Sequence, residues 1–402
     1  MKTNTELLTS TLPEMPDFQD TQIAFSHLTN KEISSSSWLF RLMNKPFLVK
    51  VGAPIGLWTV KWNFPFARMI VERTIFRQFV GGSSLLNTIP TIQKLAKLQT
   101  LTILDYGVEA RESEEDLNRT LRENLRAIEF AADHPNVPVV STKISGLASN
   151  ALLEKVQRGD ALNDVEEENY RSVIKRVEAI AYTAFEKGVS VFFDAEESWI
   201  QDPIDHMVNA MMRRYNKERV VIYNTYQMYR HDRLKFLMQN ATEAAAEGWM
   251  LGAKIVRGAY MEKERERAKQ KGYASPIYPD KQSTDDAYNK ALRFLIENYE
   301  RIGSCNASHN AESNQLMAQW IDELKINRNH PHLNFSQLYG MSDNITFNLA
   351  ASGYNVAKYV PYGRVEEVIP YLIRRAQENT SVTGEMSREL ELISKEQARR
   401  KV

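Results

Sequence analysis

A single cysteine, Cys305, stands in 402 residues, which excludes an internal disulfide framework and a zinc cage built on thiolates. An excess of one charge is equally missing, because 51 Lys and Arg balance 51 Asp and Glu. A net charge of zero removes the basic surplus that a nucleic-acid partner would call for. No stretch reaches the ~20 uninterrupted apolar residues of a membrane-spanning helix. The nearest, 46–66, is broken by Lys50, Pro54, Lys61 and Asn63. Met1–Asn30 lacks the basic and apolar blocks of a signal peptide, and its acidic residues argue against a transit peptide. There is no internal repeat and no low-complexity linker. These absences predict an intracellular, cytoplasmic protein. Trp58, Trp62, Phe64 and Phe66 then form an aromatic surface that either packs on the main domain or touches the inner face of a membrane peripherally.

What is present is a sizeable core: 43% of residues are hydrophobic and 25% charged, the balance of a soluble globular chain. Length alone suggests two or three domains, but a barrel fold spends 200–250 residues on one. From about residue 98, short β-branched runs recur at Leu101–Tyr106, Val139–Ser145, Val189–Asp194, Val220–Asn224, Ala253–Arg257, Ser304–Ser308, Phe335–Tyr339 and Val356–Pro361. Helical patterns separate most of them, at Glu114–Ala132, Val165–Glu186, Arg233–Glu247, Asp285–Tyr299 and Glu312–Leu324. Ser113 and Thr284 stand where N-caps belong, and Gly188 and Gly248 where helices end. Strands alternating with amphipathic helices mean a parallel sheet. Eight strands in roughly 260 residues match a (β/α)8 barrel. A doubly wound sheet is the rival, but no Gly-rich phosphate turn follows any strand. The expected division is a helical N-terminal arm (1–95), the barrel (96–386) and a charged C-terminal helix (387–402).

In such a barrel, chemistry gathers at the C-terminal ends of the strands. Polar residues collect there: Asp105 and Glu109, Lys143 and Ser145, then Asp194, Glu196 and Glu197. Asn224 and Gln227, Lys254 and Arg257, Ser308 and His309, and Tyr359 continue the series. Each alone reads equally well as a solvated loop start or a structural side chain. Lys143 and Lys254 are harder to dismiss, because an unpaired ammonium inside a β run is costly. Beyond the eighth run, Pro370 suits a helix start. Arg374 and Arg375 follow it, with Glu378 within side-chain reach of both. An arginine pair forks a carboxylate and Glu378 would take an amine, which describes either an amino-acid pocket or a salt-bridged helix face.

Eight ordered motifs carry a family resemblance. They are Thr-Lys-Ile-Ser (142–145), Asp-Ala-Glu-Glu (194–197), Asn-Thr-Tyr-Gln (224–227), Val-Arg-Gly-Ala-Tyr (256–260), Ser-His-Asn (308–310), Gln-Leu-Tyr-Gly-Met (337–341), Tyr-Val-Pro-Tyr-Gly (359–363) and Arg-Arg-x-x-Glu-Asn (374–379). Over about residues 98–384 the chain resembles proline dehydrogenase, the FAD-dependent family of proline catabolism, nearest its monofunctional, eukaryote-like branch. The resemblance implies that Lys143 meets the substrate carboxylate beside Asp194. Arg374 and Arg375 would ion-pair with that carboxylate, and Glu378 would receive the ammonium of L-proline. Tyr359 and Leu338 would pack on the pyrrolidine ring, with Tyr260 as a wall. On the FAD side it implies Asp194, Ala195, Asn224, Lys254 near the reactive flavin nitrogen, Arg257, Gly258, Ala259, Ser308 and His309. Glu109 would be an acidic gate. Lys143, Asp194 and Lys254 are the expected catalytic residues, no metal is expected, and electrons would pass to a membrane quinone. The chain departs from the bacterial bifunctional relatives, which carry Gln and Arg at the positions of Asn224 and Lys254. It also lacks their Thr-Arg-Lys pattern in the loop 273–281, leaving Lys281 a weak candidate for the FAD phosphates. The residues alone leave two other readings open: a Schiff-base aldolase using Lys143, and a barrel that only binds its cofactor.

Overall fold

The computed structural model describes residues 15–45, 69, 72–106, 112–369, 371–372 and 385–402. Glu109, Pro370, Arg374, Arg375 and Glu378, and the aromatic segment 46–66, lie outside the described residues. Eight parallel strands close into a barrel in chain order, the last pairing with the first. They are β1 (Leu101–Tyr106), β2 (Val139–Thr142), β3 (Ser190–Phe193), β4 (Ile222–Gln227), β5 (Leu251–Val256), β6 (Ile302–Ala307), β7 (Leu333–Leu338) and β8 (Val356–Tyr362).

Side chains alternate across a strand, and here the alternation separates two environments. Leu104, Val140, Val191, Phe193, Ile222, Tyr226, Ala253, Ile255 and Phe335 face the surrounding helices and form the main core. Ile103, Phe192, Tyr223, Cys305, Ala357 and Tyr359 face inward and plug the lumen. The strands are therefore buried on both faces, as parallel sheets require, and read as continuous apolar runs.

Helices ring the barrel: α4 (Glu114–Ala132), α5 (Asn150–Gln157), α6 (Asp164–Lys187), α7 (Gln201–Tyr215), α8 (Arg233–Glu247), α9 (Met261–Lys271), α10 (Lys281–Glu297), α11 (Ala311–Glu323) and α12 (Asp343–Ala351). In α6, Val173, Val177, Ile180, Ala181 and Ala184 are buried at the spacing of one helix face. Burying each of the larger aliphatics contributes about 1.5–3 kcal/mol, so a charge at Ile180 would break this contact. The helix opens on a capping box between Asn163 and Glu166 and closes at Gly188. Ser113 caps α4 as expected, through the Asp116 amide at 3.2 Å. The expected cap at Thr284 is displaced: α10 begins a turn earlier, where Asp280 accepts from the Ser283 amide at 2.7 Å.

Before the barrel come α1 (Thr21–Ala24), α2 (Asn30–Met43) and α3 (Ile89–Ala96), and the charged C-terminal helix is α13 (Glu385–Arg400). Helices α2 and α13 meet. Ile33, Phe40 and Met43 of α2 share an apolar cluster with Leu392 and Ile393 of α13. Arg400 donates to the carbonyls of Phe25 and Leu28, each at 2.7 Å.

Candidate active site

The polar side chains of the strands continue the inward parity to the C-terminal mouth. Above the apolar plug stand Ser141, Thr225, Gln227 and Lys254, and Asp194 follows directly after β3. Asp194 is the hub. Its Oδ2 lies 3.2 Å from the Lys143 ammonium and its Oδ1 contacts that of Lys254. It also accepts from the Tyr359 hydroxyl at 2.7 Å and the Ser141 hydroxyl at 3.0 Å. Burial alone would raise the carboxyl's pKa, but Lys254 and then Lys143 overcome it and hold the group well below the usual carboxylate range. Two ammonium charges here face one carboxylate charge. The cluster is therefore suited to a second anionic group.

Lys143 sits one residue past β2, at the head of a single turn, Ile144–Gly146. Glu196 fixes that turn by accepting from the Ser145 amide at 2.8 Å. Burial pushes the Glu196 carboxyl up to about 7, with the Ser145 hydrogen bond opposing the rise. Lys254 lies beneath two rings, 5.1 Å from the Tyr359 centroid and 5.4 Å from that of Phe192. Tyr359 is fixed from both sides, its hydroxyl also 3.0 Å from Ser141. Leu338, half-buried, packs into the same lumen cluster. Tyr260 is buried at the start of α9 with the Lys263 ammonium 5.4 Å from its ring. Ala195 is buried beside the hub.

A second polar group forms between the ends of β5 and β6. Arg257 reaches Asp285 at 2.6 Å, the Ser308 hydroxyl at 2.7 Å and the Ser313 hydroxyl at 3.0 Å. Lys281 contacts the other oxygen of Asp285. Gly258, at φ +144°, brings the backbone against Tyr229, where a Cβ would fall 2.4 Å from the ring; no other residue fits that turn. Ala259 donates its amide to Gln227 at 3.0 Å. His309 Nδ1 lies 2.9 Å from the Ser342 hydroxyl.

Asn224, expected on the FAD side, turns its side-chain amide to helix α7. Strand β4 runs on to Gln227, so Asn224 has the outward parity. Its amide donates to Asp205 of α7 at 2.9 Å, and Asp205 in turn pairs with Arg233 at 2.6 Å. Gln227, three residues on, reaches the mouth instead, donating to the Glu196 carbonyl at 2.7 Å. Ser141, Thr225 and Gln227 are among the polar residues at the mouth to which sequence reasoning assigned no role. Parity from Lys254 along paired strands is the signal that finds them.

The residues present suit a flavin dinucleotide at this mouth. The buried Thr225 hydroxyl, inward-facing and opposite Lys254 in register, has no hydrogen-bond partner among the described residues. Arg257 and Lys281 flank a single carboxylate, a donor set suited to phosphate.

A sequence model of the family described as "Proline dehydrogenase" matches residues 88–388. The chain belongs to that family. Among relatives, it is 34% identical over 374 residues to "Proline dehydrogenase 1, mitochondrial" of Dictyostelium discoideum, covering 82% of this chain and 65% of that protein. It is 30% identical over 412 residues to "Hydroxyproline dehydrogenase" of Xenopus laevis, covering 92% and 87%. The fold matches a crystal structure of proline utilization A from Bdellovibrio bacteriovorus inactivated by N-propargylglycine, with a TM-score of 0.75 at 22% identity. That match covers 92% of this chain and 42% of that one. The chain thus spans less than two thirds of the length of the first of these relatives. Among the described residues no helix is long and apolar enough to cross a membrane.

Proposed function

We propose that the chain oxidises L-proline to Δ1-pyrroline-5-carboxylate with FAD, the first step of proline catabolism, and passes the electrons to a quinone. The observation that carries this reading is the buried Asp194 hub, in which one carboxylate organises two lysines and a tyrosine at the mouth of a barrel of this family. FAD, when bound, supplies the hydride acceptor at its N5 for the hydride leaving carbon 5 of proline. Asp194, Ala195, Asn224, Lys254, Arg257, Gly258, Ala259, Ser308 and His309 would hold it, with Gln227 added on the geometry above.

The protein's own part is binding and electrostatics. Lys143, oriented by Asp194 and by the Glu196-fixed turn, meets the substrate carboxylate, joined by Arg374 and Arg375, with Glu378 at the amine. Tyr359, Leu338 and Tyr260 enclose the ring, and Glu109 acts as the gate. Hydride loss builds positive charge at the amine, so the substrate must react as the neutral amine. An ammonium held by a carboxylate is a poor nucleophile, so the Lys143–Asp194 pair speaks against a Schiff-base aldolase. The barrel (96–386) would be the catalytic unit, flanked by the arm (1–95) and the C-terminal helix (387–402). Delivery to a quinone asks for peripheral contact with a membrane, at its inner face for a cytoplasmic protein.

The test is direct. The purified protein, loaded with FAD, should lose its flavin absorbance on anaerobic addition of L-proline. A protein that takes up no FAD, or whose flavin is inert to proline, refutes the reading.

A further inference from the structure

Ser342 is the one residue of the α12 start whose conformation asks for an explanation. It has φ 52° and ψ 42°, the left-handed region that costs any residue but glycine. It stands at the N-cap position, where a serine hydroxyl usually bonds the helix's own amides, yet its side chain makes no such bond. The hydroxyl is spent on His309 Nδ1 at 2.9 Å. The Ser342 amide is taken by the carboxylate of Glu389 on α13. Its carbonyl accepts from the Thr346 amide at 3.1 Å. Glu389 is itself buried, beside Asp343 and Lys358, which pair with each other at 2.7 Å, with His27 of the arm 3.4 Å from Asp343. Strained backbone persists where its surroundings over-determine it, and such positions cluster at functional sites.

We infer that Ser342 is a positioning residue for His309, and that Glu389 holds it in place, so that the C-terminal helix fixes the orientation of a flavin-side histidine. The bond to Nδ1 sets the ring's rotation and turns Nε2 to the opposite side of the ring. The inference rests on the reading that His309 contacts FAD. It adds a link the sequence motifs do not contain, from the C-terminal helix α13 to the end of β6.

The test uses the strain. Ser342→Gly removes the hydroxyl and also the steric cost of the left-handed backbone, so a merely structural serine would be replaced at no loss. Full-length apoprotein of the wild type, Ser342→Gly and Glu389→Ala is titrated with FAD by flavin fluorescence, and the thermal midpoint of each apoprotein is measured alongside. The expected result for Ser342→Gly is a thermal midpoint equal to or above wild type together with an FAD dissociation constant raised about three- to tenfold, the worth of one lost hydrogen bond. Glu389→Ala should raise the same constant. Wild-type affinity in Ser342→Gly overturns the inference while leaving the proposed function standing. So does weakening that merely follows a fallen midpoint. Wild-type protein that takes up no FAD overturns both.

Discussion

Replacing Asp194 by Asn keeps the shape of the hub and removes its charge. The Lys143 ammonium lies 3.2 Å from the carboxylate and Lys254 contacts it directly, and only about a seventh or less of each side chain is exposed. At an effective dielectric of ~20, one such pair at this separation attracts by about 5 kcal/mol before desolvation is charged against it. Removing one member of a buried pair typically costs about 3–5 kcal/mol, because the remaining charge is left in a site that cannot hydrate it. Here two cations lose the same anion, so the upper part of that range is expected. An unfolding entropy of ~2.1 cal/mol/K per residue over a chain of this length converts the loss into a thermal midpoint lower by about 4–6 °C. The measurement is made on apoprotein, so that ligand binding does not enter. Removing one cation together with the anion, in Asp194→Asn/Lys254→Met, should recover more than half of the loss, a coupling that additive effects would not give. A midpoint for Asp194→Asn within 1 °C of wild type, or a double variant no better than the single, refutes the electrostatic account of the hub.

Tyr359 cannot swing aside while its hydroxyl is tied to Asp194 and Ser141, so kcat/KM should favour L-proline over trans-4-hydroxy-L-proline. Tyr359→Ser should narrow the ratio about tenfold or more, and equal kcat/KM values in the wild type would remove the basis for this. Glu196 and Glu389 are both pushed up to about 7, chiefly by burial. Between pH ~4.5 and ~7 the folded chain therefore keeps protons that the unfolded chain has released. Stability should fall as pH rises through that window and level off above it. The Glu196→Gln/Glu389→Gln variant should show a flatter profile, and identical profiles would be the contrary result. The Cys305 thiol is buried against the Ser336 hydroxyl at 3.3 Å, and burial pushes its pKa up to about 11. About one molecule in a thousand would carry the thiolate at pH 8, so native protein should resist iodoacetamide. Labelling as fast as in urea would contradict this.

The barrel was legible because strands buried on both faces need unbroken β-branched runs, and eight of them stand between helical patterns. The helices missing from the sequence reading failed for local reasons. Helix α9, Met261–Lys271, is charged almost throughout and has no apolar stripe to find. Helix α7 opens at Gln201 with no side-chain cap and with Pro203 in its first turn. At the site, Lys143, Asp194, Lys254 and Tyr359 were found by residue type and strand-end position, and the structure brings them together. Asn224 turns its amide to Asp205, an orientation that a reading by strand-end position alone does not give. Ser342 left no trace in the sequence, since its role depends on contacts with His309 and Glu389, both more than 30 residues away.

The meeting of α2 with α13 sets a timetable for synthesis. The apolar face of α2 is complete at Met43, yet its partner begins only at Glu385, about 340 residues later. At ~5–20 residues per second a ribosome needs roughly 20–70 s to cover that distance. During all of it Ile33, Phe40 and Met43 have no mate from α13, and β1, ending at Tyr106, waits until Val356 for β8 to begin. The nascent chain is thus an open sheet until β8 emerges, and its apolar arm lacks the α13 contact for longer still. Ribosome-bound chains halted before Glu385 should therefore be prominent clients of holding chaperones, and emergence of α13 should end that association.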